Sequence, residues 1–146
     1  MANGEVAAAS TATEATLAKQ RYVGRADRVC AASSARINDV LSRVFPGAPD
    51  AGMRPDERDA WVVQHQAPII RAEIADLRSI PPPPGDEATV GAIYEGMEQA
   101  LGAVERNPAA IRAFGQGTPD DPFAAPAQRA GDYGLSVCAL GSPEAD

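Results

Sequence analysis

The chain of 146 residues is short of aromatic side chains, which make up 5% of it, and it holds one histidine and two cysteines. Each shortage closes off a class of chemistry. A single imidazole, His65, does not supply the several donors that a zinc site requires, and no Glu-x-x-His pair of the di-iron type is present. The cysteines, Cys30 and Cys138, stand 108 positions apart, which excludes a C-x-x-C redox or zinc motif. Positive charge is scarce too: thirteen Lys and Arg face twenty Asp and Glu, a net charge of −7. Such a chain repels nucleic acid and anionic membranes unless it carries a basic patch. Arg21, Arg25, Arg28 and Arg36 are interleaved with apolar positions and form no block. No apolar run approaches the ~20 residues of a membrane span. The opening stretch, MANGEVAAASTATEATLAKQ, has neither the basic region nor the apolar core of a secretory signal.

What remains is a chain rich in alanine, with apolar residues at helical spacing and no alternation that argues for a strand. Residues 1–15 have nothing to bury and are expected to form a flexible tail, with the folded domain over 16–140 and a frayed end at 141–146. A first helix is predicted from Leu17 to Phe45, with Tyr22, Ala26, Val29, Ser33, Ile37, Val40 and Val44 on one face and Pro46 and Gly47 ending it. A second, from Pro55 to Ile80, presents Val63, Ala67, Ile70, Ile74 and Leu77. Pro68 lies inside it, lacks an N–H and crowds the preceding turn, so a kink, or two abutting helices, is expected there. Pro81–Pro84 then form a stiff connection. A third helix, capped by Asp86, carries Val90, Ile93, Met97, Leu101 and Val104 as far as Asn107 and Pro108. Pro108–Phe114 suits a short helix, and Phe123–Tyr133 a fourth long one, capped by Asp121 and stopped by Gly134. The fold class is all-α. Amphipathic helices with short connections make a single antiparallel bundle of about four helices the default.

The candidates for chemistry are few. Asp27 sits between Arg25 and Arg28, where it reads either as a ligand anchor or as part of a salt-bridged helix surface. His65 lies four residues from Trp61 and reads either as a base or as a half-exposed helical residue. A serine nucleophile at Ser33, Ser34 or Ser42 has only His65 to call on as an imidazole base. Gly115-Gln116-Gly117 lacks the strand and lysine of a phosphate loop. The proline run reads as a spacer or as a ligand for a proline-binding module. Trp61, Ile70, Tyr94 and Met97 are candidates to line an apolar pocket between helices, and equally candidates for core. No catalytic residue, metal ligand or cofactor is assigned.

The two cysteines allow two readings. They are free buried thiols in a cytosolic protein, or they pair, since helical topology can bring the C-terminal segment back to the first helix. Closing a loop of that length stabilises a fold by ~4 to 5 kcal/mol in the chain-entropy model. Such a bond persists only in an oxidising compartment, which makes the protein extracytoplasmic with a leader or anchor lying beyond this chain.

The order YVGRADRVC, LRSIPPPPGDEA and DDPFAAPAQRAGDYGLSVC, running from Tyr22 to Cys138, resembles a group of uncharacterised actinobacterial helical proteins that are exported as lipoproteins or behind one membrane helix. The resemblance implies an extracytoplasmic helical domain with Cys30 joined to Cys138, and it carries over no catalytic residue. The expected function is a non-enzymatic binding or interaction domain, its partner an unknown protein or small molecule. The alternatives are a carrier with a pocket between helices, an enzyme using Asp27, His65 or a carboxylate from another helix, and a cytosolic regulator with free thiols.

Overall fold

The computed structural model describes residues 2–44, 54–114 and 118–139, with the side chains of the first helix described from Thr13 onward. The stop expected at Pro46 and Gly47, the loop at Gly115–Gly117 and the end at 141–146 lie outside these residues. Among them there are helices and no strands. Helix α1 spans Ala2–Val44, α2 Pro55–Trp61, α3 Ala67–Arg78, α4 Glu87–Arg106, α5 Ala124–Tyr133 and α6 Ser136–Ala139. A π-helical turn, Val62–Gln66, joins α2 to α3, and a 3-10 turn, Pro108–Ala113, follows α4.

α1 starts at Ala2, inside the stretch read as a tail. The reason is propensity: the segment is alanine-rich and contains no proline, so the helix propagates outward from the packed part of the rod. At Thr13–Leu17 its side chains are exposed. Burial begins further on, at Tyr22, Ala26, Cys30 and Ser33, the face expected from the spacing, and fades to an exposed Val44.

Pro68 shapes its helix from one turn earlier than its own position. It offers no N–H to the carbonyl of Gln64, and its ring crowds that turn. The chain widens there, and the Ala67 N–H bonds back five residues to the Val62 carbonyl. The extra residue moves the buried face. Val62 is 1% exposed and Val63 50%, so Val63, expected on the inner face, points outward.

The core has two clusters. Tyr22, Ala26 and Cys30 of α1 meet Leu77 and Ile80 beyond them, Val90, Ile93 and Tyr94 of α4, and Ala130, Tyr133 and Leu135 at the chain's far end. Trp61, Val62, Ala67, Ile70 and Ile74 meet Ala100, Leu101 and Val104 of α4, with Ile111 and Phe123, and the later α1 residues Ile37 and Leu41 pack on them. Early α1 thus meets the end of α3, and late α1 meets its start. Met97 touches both clusters. Where α4 passes α5, Gly96 leaves room for Pro126, whose Cβ lies 3.3 Å from where a side chain would begin.

Gly134 sets the position of the last helix. Its φ of 110° is the left-handed geometry that ends α5, with the Leu135 N–H bonded to the Ala130 carbonyl at 2.8 Å. Leu135 is driven fully into the first cluster. α6 then lies against α1, and Cys138 reaches Cys30 with their Cα atoms 5.2 Å apart, joined as a disulfide. Among the described residues no helix is long and apolar enough to cross a membrane.

Candidate functional site

The sequence candidates fall in different parts of the molecule. Asp27 is half-buried, and its Oδ1 accepts the Val137 N–H at 3.2 Å, satisfying a free donor in the first turn of α6. Trp61 is buried in the second cluster, with its indole N–H unpartnered. His65 is half-buried within the π-helical turn. Tyr94 is buried in the first cluster, while Met97 is half-buried at the border. Ile70 belongs with Trp61, so the four side chains proposed as one pocket lining are divided between two packed clusters. Of the proline run, Pro83 is buried, so that stretch does not lie free along its length.

Tyr94 belongs to a polar network inside the apolar core. Its hydroxyl is hydrogen-bonded to that of Tyr22. Tyr22 meets the ring of Tyr133 edge-on at 6.3 Å, and the Tyr133 hydroxyl donates to Asp86 at 2.7 Å. The Lys19 ammonium sits 4.3 Å from the centre of the Tyr133 ring. Burial pushes all three phenols above their ordinary range; for Tyr133 the hydrogen bond to Asp86 adds to this. These groups stay neutral and tie α1, α4 and α5 together. Asp86, expected to cap α4 with its side chain, makes no such cap bond; it is turned to Tyr133 instead.

A cleft of about 310 Å3 opens between α1 and α3. Arg28, Val29, Ala32, Ser33 and Arg36 line it from α1, and Ile69, Ala72, Glu73 and Asp76 from α3. Their spacings place each set on one helical face. Alanines at 32 and 72 leave the space that longer side chains would fill. Ser33 is 8% exposed, and its hydroxyl, beside the Glu73 carboxyl, makes no hydrogen bond of regular geometry. Glu73 is half-buried beside it. Desolvation pushes the Glu73 carboxyl from an ordinary value of 4.5 up to about 7, and the nearby Ser33 hydroxyl offsets only part of that. No ion pair forms between these carboxylates and Arg28 or Arg36. The basic side chains further along α3 are engaged elsewhere: Arg78 with Glu98 at 2.6 Å, and Arg71 with Glu105. The helical spacing puts Ser33 on the inner face of α1, whereas Glu73 stands out in no motif. The available signal was a carboxylate directly before Ile74 and four residues after Ile69, on the edge of a buried stripe.

Among the described residues no three of His, Cys, Asp and Glu come together as a metal site. No protein-family model, no curated protein and no solved structure matches the chain.

Proposed function

We propose that the chain is an extracytoplasmic, non-enzymatic binding domain, built as an antiparallel bundle of the four-helix type with its principal helices α1, α3, α4 and α5. The observation that carries this reading is the Cys30–Cys138 bond, which joins α1 to α6 and belongs in an oxidising compartment. The chemistry-bearing side chains support the non-enzymatic part. Asp27 holds a backbone N–H, and Tyr22, Tyr94, Tyr133 and Asp86 hold one another. Kinship with exported actinobacterial helical proteins, drawn from the three sequence motifs, is part of the same proposal. Alkylating thiols in the intact producing cells before lysis, then weighing the protein, tests the compartment. The expected mass lacks two hydrogens and carries no alkyl group. Two alkyl groups on Cys30 and Cys138 would overturn it in favour of a cytosolic regulator with free thiols. The cleft between α1 and α3 favours a small molecule over a protein as the bound species, since concave sites of a few hundred Å3 suit small ligands.

A further inference from the structure

We infer that the cleft between α1 and α3 binds a small amphipathic monocarboxylate, its head held by Arg28, Arg36 and Glu73 and its apolar body laid on Val29 and Ile69. The inference rests on the binding-domain reading and names its ligand class. Three observations converge on it. The cleft joins an apolar floor to a polar rim, the division that an amphipathic molecule requires. The Ser33 hydroxyl at its base is buried beside the Glu73 carboxyl without a hydrogen bond of regular geometry, and a ligand oxygen offers it one. Arg28 and Arg36, both exposed, make no ion pair among the described residues, which leaves them for a carboxylate.

Charge sets the number of negative groups on the ligand. Lining the cleft with Glu73 are Arg28 and Arg36 from α1 and Asp76 on its own helix. From α4, Glu98 and Glu105 are already engaged by Arg78 and Arg71. With Glu73 neutral, the two arginines outweigh Asp76 by one charge, which matches a monoanion. A neutral Glu73 also donates a hydrogen bond to a carboxylate, whereas an ionised one repels it. Binding is therefore strongest below the Glu73 pKa of about 7 and weakens as pH rises through it, with a proton taken up on binding.

The test is a two-dimensional NMR titration of the full chain with octanoate, octanamide and octylammonium, each below its micelle concentration. Octanoate is expected to shift the amides of residues 28–36 and 69–76 saturably, and octanamide to bind at least about tenfold more weakly. Affinity for octanoate should fall roughly thirtyfold between about pH 6 and about pH 8.5, following the neutral fraction of Glu73. Glu73→Gln, which keeps the donor, should bind octanoate and lose the pH dependence. Ser33→Ala should weaken binding about threefold to tenfold, with its melting curve recorded to exclude misfolding. Equal affinity for octanamide, preference for octylammonium, or a pH dependence that survives Glu73→Gln each overturns the monocarboxylate assignment. Binding of a probe at this cleft in those cases leaves the binding-domain reading standing. Absence of saturable shifts for all three probes overturns the site itself, while the thiol measurement independently decides the compartment.

Discussion

The cluster around Cys30 and the cluster around Trp61 draw on the same two helices, α3 and α4, for their aliphatic side chains, yet they are fixed by different means. The first contains a covalent bond and two phenol hydrogen bonds, Tyr22 with Tyr94 and Tyr133 with Asp86, joined by the edge-on contact of Tyr22 and Tyr133. The second is apolar, closed by Ile111 and the edge-on pair Phe114 and Phe123, with one unpartnered donor on Trp61. A network of directional bonds specifies one arrangement of its members, whereas apolar packing tolerates repacking so long as volume is kept. The difference also tracks chain separation. The first cluster must hold residues from both ends of the domain, and the second joins segments closer in sequence.

Removing the covalent part is the strongest way to break the contrast. Cys30→Ala with Cys138→Ala should lower stability by ~4 to 5 kcal/mol in the chain-entropy model, read as a shift in the urea midpoint. A loss under about 1 kcal/mol would mean that packing alone holds the first cluster, as it does the second. Leu101→Ala, in the second cluster, should cost about 3 kcal/mol by the same measurement, and Leu101→Met under about 1.5 kcal/mol because its volume is kept. Tyr133→Phe removes one hydroxyl and leaves the Asp86 carboxylate without that donor, so a loss of about 1.5 kcal/mol is expected, with no comparable effect from Phe123→Tyr on Asp86.

Glu73, on the α1–α3 seam, gives a pH-dependent difference. Its folded pKa is raised, so its contribution is fully present below the unfolded value of 4.5 and is lost as pH rises through about 7. Glu73→Gln should therefore be more stable than the parent above that range by about 1 kcal/mol, a figure reduced for the carboxyl's partial exposure, and the gap should close on acidification. Urea melts across the range measure it. The smallest effect belongs to the surface pair: Arg78→Ala should change stability by less than about 0.5 kcal/mol, and less still in high salt, because both partners are well exposed.

The legible parts of this fold are those set by local rules. The spacing of Tyr22, Ala26 and Ser33 fixed the inner face of α1, and Gly134 marked the end of α5 because glycine adopts a left-handed backbone without strain. Pro68 announced an irregular helix. That the irregularity would be a widened turn, exchanging Val63 for Val62 on the inner face, depends on how the chain absorbs a missing donor and is not contained in a fixed 3.6-residue period. The bond from Tyr133 to Asp86 spans 47 positions, so local cap chemistry pointed Asp86 at the wrong partner. The cleft was least legible. Ala32 and Ala72 line it from two helices, and alanine in a helix reads equally as core, surface or gap.

The bond between Cys30 and Cys138 also has a mechanical consequence. Pull on the segments outside the bridged residues, and tension crosses from α1 to the end of α6 through one covalent link. The bridged interval, with α3, α4, α5 and the second core cluster, hangs as a loop off the covalent load path until the link is cut.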